Sequence, residues 1–415
     1  MSNTRLVESQ GYLRYFVHYK SRIAYNRIAG KTDRIDLTTF YPFLALLAEV
    51  GHTHPDKPLH RALTRAIVNA PNPRQPTSKL PDGSAAKVVL LGRPIPESEI
   101  NTRKWWPSAD SNMARSKLFR RILREGFIVP IVTAIAVSLL TEIYTTTYVP
   151  ASISVDGKAT PRVRLQHRKS PLTDFGIAKG VADVKPQDKL AYIHDKSFSK
   201  GQDPNDHYWL YFTTLNGEEI TIELNMYTFN FGMLVDTRPC SSCLDLSSIQ
   251  HVPAFFRDKE IADSAPDIAE ERERFSVLRN TNLQKVAMSS NPAEPLDESS
   301  LKLIYKFMDA LAGRKCTEGE KKFLTAVLKP FRSASRYVVA TQAWKGWPGT
   351  PYITIEEDPG DPECFVDDNE AWRPFHREWK EARKNERPKE ELTEIYRKHE
   401  KMYPGRGQSS MDDVD

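Results

Sequence analysis

The chain has 415 residues, with 59 Lys+Arg against 54 Asp+Glu, 40% hydrophobic and 10% aromatic residues, and a mean hydropathy of −0.53. This composition suits a folded globular protein with room for two or three domains, and it excludes a wholly disordered chain. Four cysteines, the close pair Cys240 and Cys243 and the isolated Cys316 and Cys364, fit reduced thiols in an intracellular setting, cytoplasmic or nuclear, better than a disulfide framework.

The opening segment MSNTRLVESQGYLRYF lacks the basic start, apolar core and small-residue cleavage site of a secretory signal. Leu6, Leu13, Phe16, Val17 and Ile23 recur near helical spacing, and Asp36 is placed to cap a helix over LTTFYPFLALLAEV. The segment 58–70 reads as an amphipathic helix, with Leu59, Leu63, Ile67 and Ala70 on one side and Arg61 and Arg65 on another. A proline-rich loop then ends in Asp82-Gly83, and KVVLLG (87–92) predicts a buried strand. A further helical stretch spans about Met113 to Tyr144. Within it, 126–141 has 16 residues without a charge, short of the roughly 20 a spanning helix needs, so it predicts a core helix and no membrane span.

In the centre, 152–165 has β-rich arms around Asp156-Gly157. HYWLYFTTLNGEEITIEL (207–224) predicts a hairpin with Asn216-Gly217 as a two-residue loop. That register sets Thr213 opposite Ile220, Tyr211 opposite Ile222 and Trp209 opposite Leu224, and residues 226–237 offer a third strand. From about Pro266 helices are expected to return. Asp297 or Ser299 can cap one over LKLIYKFMDALAG, and Thr317 with Glu320 forms a capping box for another, ending near Lys329 because Pro330 follows. Residues 356–370 hold eight carboxylates and no base, 371–399 read as a polar helix, and 404–415 as a disordered tail.

The expected fold is α+β: a helical, basic region over 1–150, an antiparallel β region over 151–262 packed on the 126–141 helix, and a helical region over 263–403. The sheet is expected to be small, with Trp209, Tyr211, Ile220, Ile222 and Leu224 as its apolar face.

No complete catalytic constellation is present. Cys240-Ser-Ser-Cys243 has metal or redox spacing, but a structural zinc needs four ligands and only His251 is near in sequence, so these three are weak metal candidates and no cofactor is expected. His52, His54, Asp56 and His60 gather metal-type side chains in a loop with nothing to complete a site. Asp174-Phe175-Gly176 has the letters of the kinase magnesium triplet without a glycine-rich loop, strand lysine or catalytic loop. The acidic run lacks calcium-loop spacing, and the tryptophans are more naturally core than stacking platforms. Charge is uneven: residues 1–125 carry 21 Lys+Arg against 10 Asp+Glu, and the remainder 38 against 44. The basic front half can face the acidic part of its own chain, or a polyanion, with Arg115, Lys117, Arg120, Arg121 and Arg124 as the nucleic-acid candidates.

Three stretches, TDRIDLTTFYPFLALLAEV (32–50), KLFRRILREGFIVPIVTAIAVSLLTEIYTTTYVP (117–150) and DPNDHYWLYFTTLNGEEITIELNMYTFNFGMLVDT (203–237), resemble a group of uncharacterised basidiomycete fungal proteins, some of which carry a MYND-type zinc finger. The likeness covers about the first 260 residues. It implies no nameable activity, and with four cysteines this chain lacks the finger's seven cysteines and histidine, so no zinc ligands carry over. The expected function is a non-catalytic protein-interaction or scaffold module with a protein partner. Nucleic-acid binding through the basic front half is the alternative, and an enzyme with a dispersed site a weaker one.

Overall fold

A computed structural model describes residues 34–143 and 165–356, except 196, 245, 263–267 and 290–294, together with Asp358, Glu378 and Glu391. The expectations for the first 33 residues, for 152–164, for most of the acidic run, for the 371–399 helix and for the tail lie outside the described residues. The chain divides into two compact units, Met1–Glu356 and Glu357–Asp415, and all elements below belong to the first.

Asp36 closes the short strand β1 (Ile35–Asp36) and caps α1 (Leu37–His52), its carboxylate accepting from the Thr38 amide at 3.0 Å. The 58–70 helix does not form. Its place is taken by turns and the strand β2 (Arg65–Ile67), followed by β3 (Ser78–Lys79) and β4 (Ala85–Pro94). The reason is non-local. Trp105 donates its indole N–H to Ala62 O at 2.9 Å, Trp106 donates to Asn69 O at 3.0 Å, and the Asn69 amide bonds Val88 O and Leu90 N along β4. Backbone groups that a helix would pair internally are thus claimed from outside.

The helical stretch from 113 to 144 is two helices, α2 (Asn112–Leu123) and α3 (Ile128–Ser138), the latter running into a π-helical turn, Leu139–Ile143. Gly126 and Phe127 both take left-handed φ, 70° and 57°, and the helices diverge by 72°. Every residue from Ile128 to Ile143 is buried, as a helix apolar all round must be. Among the described residues no single helix is long and apolar enough to cross a membrane.

The central strands are β5 (Leu165–His167), β6 (Ser170–Ala182), β7 (Leu190–His194), β8 (Ser197–Lys200), β9 (His207–Thr214) and β10 (Glu219–Glu223). Then come β11 (Met233–Asp236), β12 (His251–Pro253), β13 (Phe255–Arg257) and β14 (Ala269–Ser276). The described residues form an α+β fold with several mixed sheets in place of one small one. The first is ordered β1-β5-β6-β9-β10-β13 with β14 also on β6; the second is β2-β4-β7-β8 with β3 on β4; the third is β12-β11-β15, where β15 is Ile353–Ile355. Residues 226–237 therefore do not extend the hairpin. They form a 3-10 turn and β11 in the third sheet, and β13 pairs β10 instead.

The hairpin forms one residue out of the expected register. Glu219 lies opposite Thr213, Ile220 opposite Phe212 and Ile222 opposite Leu210. Thr214 N donates to Glu218 O and Gly217 N to Thr214 O, both at 3.0 Å, so the loop is Leu215–Asn216–Gly217 with Gly217 at φ 79°. This is the three-residue loop that ends in a left-handed glycine. The slip exchanges faces: Leu210, Phe212, Ile220 and Ile222 share the core side, while Trp209 and Tyr211 lie on the other with Ala178. Only this register aligns the aliphatic positions of both strands. α3 packs on β6 and β9 from the core side and, from the other, on the helix Glu318–Thr341.

After Pro266 the next described element is β14, where a helix was expected. Gly176 and Gly180 of β6 admit it: a Cβ on either would lie 2.1 Å from Phe275 O or 1.9 Å from Glu270 O. Then follow α4 (Thr281–Ser289), α5 (Glu298–Ala312) and α6 (Glu318–Thr341). Asp297 caps α5, and Thr317 with Glu320 forms the capping box of α6. α6 does not end at Lys329 but continues through Pro330 to Thr341. The roughly 3 kcal/mol that an interior proline costs is offset by burying Phe331, Ala334 and Val338 beyond it.

Candidate functional site

The five basic candidates of α2 and its end point into the molecule. Arg115, Lys117, Arg121 and Arg124 are buried. Arg115 donates to Asn112 Oδ1 at 2.6 Å, Arg121 to Thr228 O at 3.1 Å and Asp188 O at 2.6 Å, and Arg124 to Glu49 at 2.5 Å. Arg120 pairs with Glu356, and Lys117 Nζ reaches Glu356 O at 3.3 Å. The guanidiniums of Arg120 and Arg124 lie 5.1 and 4.9 Å from the Tyr227 ring centroid, and the Tyr227 hydroxyl donates to Glu356 Oε2 at 2.6 Å. The basic face is therefore spent on carbonyls and carboxylates of the same chain, and Glu356, at the start of the acidic run, is one of its main partners.

Behind this face lies a second buried charge group. Lys57 Nζ donates to Leu123 O at 2.5 Å and Glu125 O at 3.1 Å, closing the carbonyl end of α2. Glu125 accepts from the Tyr192 hydroxyl at 2.9 Å and sits 3.6 Å from His60 Nε2. Burial pulls Lys57 down to about 7, with the Arg124 charge adding to it, and pushes Glu125 up to about 7. His60 falls to about 4, by burial and then by the Lys57 charge. His52 is held well below the usual histidine range by burial, then by Lys57 and Arg124, against the pull of Asn225. Two groups titrating near neutrality are competent for proton exchange. Their bonds, however, run to the end of α2, to Tyr192 and to the Gln202 backbone, so the group fixes the end of α2 against its neighbours.

Cys240 is buried, its thiol donating to Thr237 O at 3.1 Å, whereas His251 is exposed on β12 opposite Asp236. The side chains of Cys243 and Cys364 lie outside the described residues. Among those described, no group of three or more His, Cys, Asp or Glu is arranged to hold a metal. In the 52–60 loop, His54 Nδ1 accepts from the Asp56 amide at 3.1 Å. Asp174-Phe175-Gly176 lies within β6, where Asp174 accepts from Ser276 at 2.6 Å and Tyr211 at 3.2 Å.

The surface feature beside the Arg120, Lys117 and Tyr227 contacts to Glu356 is β15. It pairs antiparallel with β11, Ile355 opposite Met233 and Ile353 opposite Val235. Glu356 N donates to Gly232 O at 2.7 Å and Asp236 N to Tyr352 O at 2.9 Å. Since alternate residues of an antiparallel strand turn their backbone groups to opposite sides, Tyr352, Thr354 and Glu356 face β11, and the N–H and C=O of Ile353 and Ile355 face outward. No described strand pairs with that outer side. Ile353 is 42%, Tyr352 65% and Ile355 69% exposed. Gly232 allows this close pairing, because a Cβ there would lie 2.1 Å from Glu356 O. Glu356, clasped by Arg120, Lys117 and Tyr227, anchors the far end.

Comparison with protein-family models, with curated proteins and with solved structures yields no match to this chain. The edge strand was not among the expected sites. Its signal is short: Tyr-Ile-Thr-Ile between Pro351 and the acidic run, a β-branched alternation bounded by a breaker.

Proposed function

We propose that this chain is a non-catalytic protein-interaction module that takes an extended segment of a partner protein along the outer edge of β15. The observation that carries this reading is an apolar edge strand with outward-facing amide groups. Natural edges of this kind are normally blunted by charge, proline or cover, and peptide-binding domains use them for strand addition. Main-chain bonds to Ile353 and Ile355 supply affinity, and alternate apolar residues of the guest pack on the two isoleucine side chains. The resemblance to a fungal family in which some members carry a protein-recruiting finger agrees with a recruiting role. The nucleic-acid alternative draws no support from α2, whose basic groups are bound within the chain.

The test compares the wild-type protein with an Ile353→Lys/Ile355→Lys variant as bait in host extract with and without nuclease, followed by direct titration of each purified partner. The expected result is a partner whose affinity falls at least about tenfold in the variant and which protects the Ile353 and Ile355 amides from exchange. Equal affinity for both baits, or binding that disappears with nuclease, overturns the proposal.

A further inference from the structure

Arg332 and Arg336 lie one turn apart on α6 and both close on Glu142 in the π-helical turn after α3. Arg332 Nε donates to Glu142 Oε1 at 2.8 Å; Arg336 Nε donates to Oε2 at 3.0 Å and its Nη2 to Oε1 at 3.2 Å. The Thr141 hydroxyl adds a bond to Oε1 at 3.3 Å. One carboxylate thus answers two guanidiniums, which stay protonated in proteins, and its oxygens are already occupied. The side chains of Glu142 and Arg332 are only 3% and 5% exposed. A positive charge is left over where little water reaches, among the costliest arrangements a side chain can adopt.

Two buried groups on the same helix lack a hydrogen-bond partner. Arg332 Nη2 is buried without a hydrogen-bond partner, and so is Ser335 Oγ, on a residue that is 0% exposed. Three residues apart on one helix, they share a face. Buried polar groups are paired in the great majority of native structures, and each exception needs a cause. The π turn alongside is a second irregularity of the kind that concentrates at functional sites. Arg336, 28% exposed, gives solvent a way in.

We propose that this cluster is a binding site for a small oxyanion, a carboxylate or a phosphate group. The Arg332 Nη2 donor and the Ser335 hydroxyl hold its oxygens, and the second guanidinium charge is neutralised by it. The site is independent of the β15 edge and lies on the α3–α6 packing, so its occupant stabilises the fold by mass action.

The experiment is thermal unfolding of the full chain titrated separately with inorganic phosphate and with acetate, ionic strength held constant. A saturable rise in Tm is expected with one or both: phosphate alone identifies a phosphate-type ligand, and acetate identifies a carboxylate. Arg332→Lys removes the Nη2 donor but also loosens the pair with Glu142, so Ser335→Ala carries the test. It leaves every described hydrogen bond in place and should raise the half-saturating anion concentration at least about fivefold. No saturable rise in the wild-type protein, or the same curve in wild type and Ser335→Ala, overturns the site.

Discussion

Among the described residues β14 and β15 each pair along one side only, with β6 and with β11, yet their outer surfaces differ in chemistry. β14 reads Ala-Glu-Glu-Arg-Glu-Arg-Phe-Ser, with Glu270 to Arg274 exposed and a register shift between Glu271 and Glu273. Arg274 pairs with Glu219 and Glu271 and lies 4.5 Å from the Tyr211 ring centroid. Charge and a bulge are the devices that keep an edge from pairing further. β15 offers Tyr352, Ile353 and Ile355 with neither device. Among the described residues the same backbone problem is thus solved on one edge and left open on the other, and the open one is where we propose that a partner strand adds.

The largest expected effect separates the two edges by glycine. Gly180→Ala drives a Cβ onto Glu270 O and Trp209 inside the main sheet, and should lower stability by about 3 kcal/mol in urea unfolding. Gly232→Ala makes a similar collision with Glu356 O, but at the margin. It should release β15, seen as lost amide protection at Leu234 and Thr354, at a global cost of about 1 kcal/mol. Equal global losses would erase the distinction between a core edge and an appended one.

Next in size is the pH response of the charges that fix α2, the helix whose Arg120 holds Glu356. The Glu125 pKa is raised from 4.5 to about 7 by burial. The folded state therefore binds the extra proton between those values. Its contribution is complete below about pH 4.5 and is lost as pH rises to about 7, a fall of at most about 3 kcal/mol. Lys57, lowered to about 7, acts only on the alkaline side of that window, where stability rises with pH. Glu125→Gln should flatten the acidic limb. A limb unchanged in the variant would assign it to another group.

Two smaller effects probe the edges directly. Exchanging Glu271 and Glu273 for isoleucine removes the guard on β14, and light scattering should show self-association that rises with concentration. A variant that stays as monodisperse as wild type would show that charge is not the guard. Tyr227→Phe deletes the hydroxyl bond to Glu356 and should cost about 1 kcal/mol, with faster exchange at Thr354. An unchanged exchange rate would remove Glu356 from the anchoring of β15.

Much of the local structure is readable from neighbouring letters. The Asp36 cap, the KVVLLG strand, the Asp297 cap and the Thr317–Glu320 box each depend on groups within a few residues of one another. The misread elements depend on distant ones. Residues 58–70 have helical periodicity, but their carbonyls are claimed by Trp105 and Trp106. Residues 269–276 are charged on both faces and become a strand because Gly176 and Gly180 leave space beside β6. Pro330 is a stop signal that packing overrides. The candidate edge was legible only as four letters after Pro351, since being an edge is a property of the sheet and not of the strand.

What the sequence determined by itself is the α+β character, a buried apolar helix within 126–141, the caps, and the presence of a hairpin around Asn216-Gly217. Tertiary structure alone decided the hairpin's register, the inward turn of the α2 basic face, and which strands stand at the edges. Caps and periodicity are set by bonds within one turn or one strand. Register, charge pairing and exposure are set by whichever distant surface covers a residue, and no local pattern encodes that.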